Sequence, residues 1–349
     1  MELALYCPEY GFYEKEGDKV GRKGHFYTSV SVGRLFGELL AFRLADWLQD
    51  IRTVVDEQKS NNPLRLIEAG ANTGDLARDI LDWFQTWRPD LFPALEYRIV
   101  EPSPRLRKRQ QSELDAFGDR VRWDDDFSTV PSGINGVVLS NELLDAMPLR
   151  RFGWNKQKQC WFEWGVTLES GRFVWAESNH SLESDDLPNV SSELLGILPD
   201  GYIWESSSRA RQWWTRAANV LNVGKVIAFD YGLREEQLLA PERTGGTLRT
   251  YSNHQVDDDP LKNPGEVDIT AHVNFTAIQN TGESAGLKTE CFVSQEKFLV
   301  QVAEETWRNP ERFPAWDAAR RRQFQTLVHP QHLGRSFHVL VQSRGASSS

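Results

Sequence analysis

Short apolar runs alternate with amphipathic stretches between residues 64 and 150. Short apolar runs bounded by turn residues are typical of buried strands, and apolar positions at helical spacing are typical of helices. The first such pair is the run LRLI followed by DLARDILDWFQTW. This alternating order predicts a parallel α/β unit.

The pattern changes after residue 150. Alternating stretches around Trp161, Trp164 and Trp175, joined by ESGR, predict a β-hairpin inserted after the fourth core strand. The helix candidate SRARQWWTRAANVLN then leads into the predicted fifth strand, KVIAFDYG. Near the end, GLKTECFVSQEKFLV and SFHVLVQSR predict an antiparallel pair at the sheet edge. Before the α/β unit, residues 7–29 predict an ordered loop that leads into the helix VGRLFGELLAFRLADWLQDI.

The turn IEAGANTGD, residues 67–75, joins the first strand to its helix. Gly70 and Gly74 leave room for a ligand against the backbone, and the amides of the helix start favour a negatively charged group. Their spacing fits neither the dinucleotide pattern G-x-G-x-x-G nor a phosphate loop ending in GK[ST]. Glu68 can meet a cationic amino acid group, which indicates S-adenosylmethionine (SAM) rather than a pyrophosphate.

Further acidic positions could bind the adenosine of the same ligand. Glu101 ends the strand candidate EYRIVEPS, where an acid can accept hydrogen bonds from both ribose hydroxyls. After the third strand, Asp126 and Phe127 have two open interpretations. They either bind the adenine amino group and stack on the ring, or they belong to a solvated acidic turn.

The candidate reaction site is the turn SNELLDAMP, residues 140–148, which follows the fourth strand. Ligands of open α/β sheets lie outside the carboxyl ends of the strands, so this turn should face the glycine turn. Asn141 can accept a hydrogen bond from a target nitrogen, and Glu142 and Asp145 share one face if the turn is helical. Two carboxylates on one face can bind a guanidinium and take its proton. A capped helix start with Asn141 as the N-cap is the alternative.

Composition narrows the class of protein. The 349 residues, 40% of them hydrophobic, suffice for one large or two ordinary domains. The net charge of −10 argues against nucleic acid as the main partner and is compatible with a basic protein substrate. Because no apolar run approaches a membrane span and the N-terminus has no signal or transit character, we expect a soluble cytoplasmic protein. Cys7, Cys160 and Cys291 are scattered away from the histidines, so no metal site is predicted.

Ten sequence blocks are similar, in order, to the MidA-like family of SAM-dependent methyltransferases. The blocks are LYCPEYGFY, GRKGHFYTS, FGELLA, IEAGANTGDLARDIL, VEPSPRLRKRQ, SNELLDAMPLRRF, FDYG, GTLRTYSNH, PGEVDITAHVNF and LVHPQHLGRSFHVL. That family includes the mitochondrial arginine methyltransferase needed for assembly of respiratory complex I. The resemblance implies a class I, Rossmann-like fold, SAM as methyl donor, and a nitrogen of a protein arginine as acceptor, with a respiratory complex subunit as one candidate substrate.

The same resemblance assigns roles to individual positions. The implied cofactor-binding residues are Thr28, Ser29, Glu68, Gly70, Asn72, Gly74, Glu101, Asp126 and Phe127. Thr28 and Ser29 would close over the methionine end.

The implied acceptor-side residues are Asn141, Glu142 and Asp145, which would hold the acceptor nitrogen. His272 with Asp268 would orient the substrate or relay a proton, and a buried, hydrogen-bonded histidine is the alternative.

The chain departs from the family in two loops. The family's glycine turn reads E-L-G-P-G-R-G, whereas the middle glycine is lost here and Asn72 lies in its place, which should alter the fit of the methionine moiety. In the first loop the family has Gly-Asp-Phe, but this chain has His25 between Gly24 and Phe26. A contact made by that acid would be altered.

These assignments predict five segments. They are a cap over the cofactor site (1–60), the first part of the SAM-binding core (61–150), an inserted hairpin and helix subdomain for the substrate (151–222), the remainder of the core with substrate loops (223–345), and a disordered tail (346–349).

Other functions stay open at this stage. One is a SAM-binding or SAM-vestigial assembly factor that holds a partner protein without catalysis. Another is a nicotinamide-dependent oxidoreductase, which the missing G-x-G-x-x-G disfavours. A small-molecule methyl acceptor is also compatible with the sequence, which leaves the oligomeric state open.

Overall fold

The computed structural model describes residues 1–15, 28–57, 63–252, 255–330 and 333–345. Most of the predicted N-terminal loop, including His25, and the predicted tail (346–349) lie outside the described residues.

Helices and strands follow one another along the described chain. The helices are α1 (Glu2–Tyr6), α2 (Leu35–Glu57), α3 (Asp75–Trp87), α4 (Pro104–Glu113), α5 (Ser192–Ile197), α6 (Ser208–Val220), α7 (Glu235–Leu238), α8 (Phe275–Ser284), α9 (Gln295–Arg308) and α10 (Ala318–Leu327). The strands are β1 (Leu64–Ala69), β2 (Leu95–Val100), β3 (Val121–Asp124), β4 (Ile134–Asn141), β5 (Arg150–Asn155), β6 (Cys160–Glu169), β7 (Arg172–Glu177), β8 (Ile203–Ser206), β9 (Leu221–Leu233), β10 (Arg249–Ser252), β11 (Gln255–Asp257), β12 (Asp268–Thr270), β13 (Val273–Asn274), β14 (Lys288–Ser294) and β15 (Phe337–Arg344).

The described residues divide into two compact units. Of the described residues, those within 1–17, 144–213 and 232–278 form the accessory unit. Those within 18–143, 214–231 and 279–349 form the core unit. The segment boundaries predicted from the sequence stay a prediction.

The main sheet has the strand order β3-β2-β1-β4-β9-β15-β14. The strands from β3 to β9 are parallel, and β15 runs antiparallel to both β9 and β14. The chain moves outward from β1 to β3 and then returns to β4, so the direction of winding changes between β1 and β4. The predicted class I fold is confirmed, together with the fifth strand (β9) and the antiparallel pair (β14 and β15).

The core unit is built on apolar faces that the sequence pattern already indicates. The strand β4 is buried over nearly its whole length, as expected of a parallel strand covered on both faces. The helix α2 buries Leu39, Leu40, Leu44 and Leu48 completely within the same hydrophobic cluster. This packing fixes β1 and β4, whose carboxyl ends carry the two turns singled out above.

The accessory unit contains a four-stranded antiparallel sheet in the order β7-β6-β5-β8. Its β6–β7 pair is the predicted hairpin, and Ser170 and Gly171 between them have φ values of +50° and +77°. Two successive left-handed residues are typical of a tight hairpin turn. A second, three-stranded sheet has the order β11-β10-β12. None of the described helices combines the length and apolar character needed to cross a bilayer.

Candidate functional site

The glycine turn and the turn after β4 leave the sheet side by side. Ala69 at the end of β1 pairs in register with Ser140 near the end of β4. Gly70 and Asn141 therefore follow at the same level, next to the point where the winding of the sheet changes direction. Open α/β sheets bind ligands at this position.

The glycine turn contains three residues with left-handed backbone conformation. The φ values are +75° at Gly70, +46° at Asn72 and +91° at Gly74. A Cβ atom at Gly70 would lie 2.9 Å from Leu143 Cδ1, which is too close without movement. A Cβ at Gly74 would meet only ordinary contacts of 3.5 Å or more. Gly70 is thus required by space and conformation, whereas Gly74 is required by conformation.

Asn72 takes a conformation that glycine adopts freely and that asparagine tolerates better than most residues. Its carbonyl oxygen accepts a hydrogen bond of 2.9 Å from Gln110 Nε2 on α4. The lost middle glycine is therefore replaced by a left-handed asparagine whose carbonyl group is fixed by a neighbouring helix.

Glu68 is buried at the end of β1, with 2% of its surface exposed. Its Oε2 accepts a hydrogen bond of 2.7 Å from the hydroxyl of Tyr97 on β2. Burial raises the pKa of Glu68 to about 7, although the Tyr97 hydrogen bond opposes this shift. A cationic group next to this carboxyl would favour its ionised form, so its predicted contact with an amino group is chemically reasonable and stays a prediction.

Glu101 follows β2 directly and is 4% exposed. Its Oε1 accepts a hydrogen bond of 3.0 Å from the Ser103 amide, and its Oε2 accepts one of 2.9 Å from Gln110 Nε2. Both carboxylate oxygens are therefore held by donors of the protein. The protein thus fixes the orientation of the Glu101 carboxylate, which is predicted to bind the ribose hydroxyls.

Asp126 belongs to a local turn. Its Oδ1 accepts hydrogen bonds from the Ser128 amide, at 2.6 Å, and from the Ser128 hydroxyl. These bonds lower the pKa of Asp126. Phe127 is buried, with 6% of its surface exposed. The acidic turn is thus present, and adenine binding by these two residues stays a prediction.

The turn after β4 is not helical, which corrects the expectation of a helical face or a helix N-cap. Glu142 has a left-handed φ of +54°, and its amide bonds to the Phe229 carbonyl at 2.9 Å. The next amide, of Leu143, donates to Asp230 Oδ2 at 3.1 Å. Two residues of β9 thus accept the first two amides of this turn and fix it in a non-helical conformation. Glu142 lies in the core unit and Asp145 in the accessory unit.

Two buried polar atoms at the end of β4 have no hydrogen-bond partner among the described residues: Ser140 Oγ and Asn141 Oδ1. The other amide atom of Asn141, Nδ2, donates to Glu142 Oε1 at 3.1 Å. Buried polar atoms are rarely left without a partner, and each exception calls for an explanation, such as a catalytic role or a bound ion or water. We call Ser140, Asn141 and Glu142 the acceptor turn.

Ser29 is brought against the acceptor turn. Its amide donates to Glu142 Oε1 at 3.1 Å, and its hydroxyl donates to Gln295 Oε1 at 3.0 Å. Its neighbour Thr28 is also buried and exchanges hydrogen bonds with Ser31. Both residues are thus well anchored, and their contact with the methionine end stays a prediction.

Asp145 and His272 line one cavity of about 70 Å³ in the accessory unit. The Ala271 amide donates to the Asp145 carbonyl at 3.0 Å, and the His272 amide donates to Thr247 Oγ1 at 2.9 Å. Two predicted catalytic residues are therefore brought together.

Asp268 is engaged elsewhere in the same unit. Its Oδ1 accepts hydrogen bonds from the Tyr13 hydroxyl at 2.8 Å and from the Ile269 amide at 3.0 Å. Burial raises the pKa of Asp268 to about 6. The predicted orientation of His272 by this acid stays a prediction.

Sequence reasoning missed Gln110, Tyr97 and Gln295. A signal for Gln110 was present, because it lies midway between Leu106 and Leu114 at helical spacing. A lone amide in an apolar stripe needs buried partners. The Tyr97 contact depends on the pairing of β1 with β2, and the Gln295 contact joins α9 to Ser29 far along the chain, so neither had a local signal.

Comparison with known proteins gives consistent matches. The profile of a family described as putative S-adenosyl-L-methionine-dependent methyltransferase matches residues 43–293. The mitochondrial protein arginine methyltransferase NDUFAF7 homologue of Drosophila melanogaster is 27% identical over 99% of this chain and 80% of its own length. Mitochondrial NDUFAF7 of Mus musculus is also 27% identical, over 98% of this chain and 79% of its own length.

A solved structure matches the whole fold. A protein from Burkholderia thailandensis, crystallised with S-adenosyl-homocysteine bound, is 30% identical and superposes with a TM-score of 0.80. The match covers 100% of this chain and 87% of that protein.

The predicted cytoplasmic location is wrong by these comparisons, since the curated relatives are mitochondrial proteins. The prediction depended on composition and on missing apolar runs. These features bear on membrane spans and do not determine a compartment.

Proposed function

Because the chain belongs to the family of S-adenosyl-L-methionine-dependent methyltransferases, we propose that it methylates a nitrogen of an arginine in a protein substrate. The single observation that carries the proposal is the buried Asn141 Oδ1, which has no partner among the described residues. It lies beside the glycine turn, where a methyl-accepting nitrogen must come close to the cofactor. An N–H group of the acceptor supplies the donor that this oxygen needs.

The residues around the glycine turn fit SAM. Gly70 lets the turn pack closely against Leu143, where a side chain would clash, and Glu101 presents a carboxylate held by two protein donors. Glu68 offers a buried anion for the ammonium of the methionine moiety. Bound there, SAM supplies a methyl group on a positively charged sulfur, which is an excellent leaving group.

The chain's own residues position the acceptor and receive a proton. In the reaction, the carbon–sulfur bond breaks, a carbon–nitrogen bond forms, and S-adenosylhomocysteine leaves as a neutral thioether. The nitrogen then loses a proton to a nearby base, for which Glu142 is our candidate. Alignment of the nitrogen with the methyl group provides most of the acceleration, and proton acceptance adds to it.

Arginine as the acceptor is supported by the names of the relatives, which are protein arginine methyltransferases. It is also supported by chemistry. A guanidinium carries several N–H donors in a planar arrangement, so one nitrogen can donate to Asn141 while another meets the Glu142 carboxylate. These two side chains are adjacent and joined by a hydrogen bond of 3.1 Å.

The test is methyl transfer from radiolabelled SAM to a mitochondrial protein extract, followed by hydrolysis and separation of the methylated amino acids. We expect the label in methylarginine. Label in another amino acid would contradict arginine, and label only in small molecules would contradict a protein acceptor. An extract incubated with the Gly70→Ala variant serves as the control for contaminating enzymes.

A second candidate function is partner binding without catalysis. The β6–β7 hairpin exposes Val166, Leu168 and Phe173 by 51%, 62% and 49%. Leu168 and Phe173 are direct cross-strand partners, so the exposed apolar side chains form one surface. Exposed apolar surfaces of this kind favour protein contacts. SAM binding without methyl transfer to any protein in the same extract would favour this function.

A further inference from the structure

The cofactor side of the core unit contains a buried amide that none of the assigned roles uses. Gln110 on α4 is completely buried. Its Nε2 donates two hydrogen bonds of 2.9 Å, one to Glu101 Oε2 and one to the Asn72 carbonyl. Its Oε1 accepts a hydrogen bond of 3.0 Å from Trp123 Nε1. Both ends of the amide group are thus occupied.

The indole determines which way the amide faces. An indole N–H can only donate, so the atom opposite Trp123 must be the oxygen of Gln110. The NH₂ group must then face Glu101 and Asn72, both of which present acceptors. The reversed amide would leave all three of these pairs without a hydrogen bond. This arrangement therefore has one orientation.

We propose that Gln110 is a positioning residue that couples the ribose-binding carboxylate to the glycine turn. This proposal rests on the proposed function, because it takes Glu101 as the residue that binds the ribose hydroxyls. Glu101 follows β2 and Asn72 follows β1, so one amide group fixes two separate parts of the cofactor site. It also fixes the carbonyl of the one non-glycine residue that takes a left-handed conformation in this turn.

The consequence is specific to the ribose. Without Gln110, the Glu101 carboxylate keeps the hydrogen bond from the Ser103 amide to Oε1 and loses the one that Gln110 Nε2 donates to Oε2. The orientation that serves two adjacent hydroxyls is then held less firmly. Loss of Gln110 should therefore reduce the contribution of the ribose hydroxyls more than it reduces contacts to the rest of the ligand.

The experiment is a cycle of protein and ligand changes followed by titration calorimetry. The protein is the full chain or its Gln110→Met variant, which keeps the length of the side chain and removes its hydrogen bonds. The ligands are S-adenosylhomocysteine and its 2′-deoxy and 3′-deoxy forms. We expect each missing hydroxyl to weaken binding to the wild type about tenfold or more, as for a hydrogen bond to a charged group. We call the Kd of a deoxy form divided by the Kd of S-adenosylhomocysteine the deoxy ratio. In Gln110→Met the deoxy ratio should fall to about threefold or less.

A matched control exists in the same unit. Gln342 is also completely buried, accepts a hydrogen bond from the Trp214 indole at 2.7 Å, and donates to the Gln279 carbonyl and Thr289 Oγ1 at 2.9 and 2.8 Å. It lies on β15, outside the turns after β1, β2 and β4. Gln342→Met should lower the melting temperature comparably and leave the deoxy ratio at the wild-type value.

Trp123→Phe provides a second variant if Gln110→Met does not fold. It keeps Gln110 but removes the indole N–H that orients the amide. We expect the deoxy ratio to fall in the same direction by a smaller factor.

The outcomes separate this inference from the proposed function. A deoxy ratio in Gln110→Met and Trp123→Phe equal to that of the wild type would overturn the positioning role. A wild type that binds all three ligands equally would overturn the ribose assignment of Glu101 and the inference with it. A wild type that does not bind S-adenosylhomocysteine would contradict the proposed function itself.

Discussion

The glycine turn and the acceptor turn follow neighbouring strands of one sheet, yet they differ in whether their polar atoms receive hydrogen bonds from the protein. On the cofactor side, Glu68, Glu101 and the Asn72 carbonyl all receive hydrogen bonds from the protein. On the acceptor side, Ser140 Oγ and Asn141 Oδ1 have no such partner among the described residues. The polar groups of the cofactor side are paired within the protein, whereas these two oxygens of the acceptor side have no donor in the described part of the chain.

This difference follows from what each side must bind. A cofactor is the same molecule in every turnover, so its ligands can be oriented in advance by residues such as Gln110 and Tyr97. The methyl-accepting nitrogen belongs to a second molecule. On the proposed function, its N–H group donates to Asn141 Oδ1, which has no partner among the described residues, and acceptor binding offsets the cost of that buried oxygen.

The largest expected effect is at Gly70. Gly70→Ala places a Cβ 2.9 Å from Leu143 Cδ1 at a φ of +75°. We expect the affinity for S-adenosylhomocysteine to fall about 100-fold or more, because both the turn and its neighbour must move. Calorimetry measures this loss.

Gly133→Ala is the matched control for this change. Gly133 has nearly the same φ, +73°, but a Cβ there meets nothing within 4 Å. Both variants should lose about 1 kcal/mol of unfolding free energy from backbone strain. Only Gly70→Ala should lose affinity for S-adenosylhomocysteine. Equal affinities in the two variants would contradict the assigned cofactor turn.

The next effect concerns the pH dependence of stability. The pKa of Glu68 is about 7 in the folded protein, against an ordinary value of 4.5. Because the folded pKa is raised, the stability that this group contributes is fully present below pH 4.5 and is lost as the pH rises through 7. Glu68→Gln should remove this loss. As the pH rises from 4.5 to 7 and above, the free energy of unfolding of the variant should therefore increase relative to that of the wild type by up to about 3 kcal/mol.

Urea unfolding at several pH values, with and without ligand, measures this difference. Saturating S-adenosylhomocysteine should flatten the wild-type curve, because its ammonium group stabilises the Glu68 carboxylate. A wild type and variant with parallel curves would show that Glu68 is not a buried acid of raised pKa. Ligand that leaves the wild-type slope unchanged would place the ammonium elsewhere.

The smallest effect is expected at Asn72. Asn72→Gly restores the family's middle glycine at a position that already has a φ of +46°. Because the backbone needs no change and the Gln110 bond is to the carbonyl, we expect the affinity for S-adenosylhomocysteine to stay within about twofold. Asn72→Val, which disfavours this conformation, should weaken binding about tenfold. A gain of more than tenfold in Asn72→Gly would mean that asparagine distorts the turn.

Much of the fold was predictable because its strands and helices depend on patterns of consecutive residues. Alternating strands and helices indicated the parallel sheet, and the hairpin around Trp164 and Trp175 was visible from its alternation and its ESGR turn. The strands β14 and β15 were predicted as a pair for the same reason. Burial on one or both faces imposes these patterns on consecutive residues.

The candidate site was predictable only where the backbone requires particular residues. Gly70 and Gly74 were singled out from their place between a strand and a helix, and both have the left-handed conformation that glycine adopts freely. The shape of the acceptor turn was not, because Asp230 holds the Leu143 amide from a strand far along the chain. The coupling role of Gln110 similarly depends on Trp123 and Glu101, which no local pattern connects to it.

The central claim is that Asn141 Oδ1 receives the N–H group of the methyl acceptor, and it is tested most directly by Asn141→Ala. Methyl transfer to protein arginine and the affinity for S-adenosylhomocysteine are measured on the same preparation, with Asn135→Ala at the opposite end of β4 as control. We expect Asn141→Ala to lower transfer about 100-fold while its affinity stays within about twofold, and Asn135→Ala to change neither. Transfer at the wild-type rate in Asn141→Ala would contradict the claim.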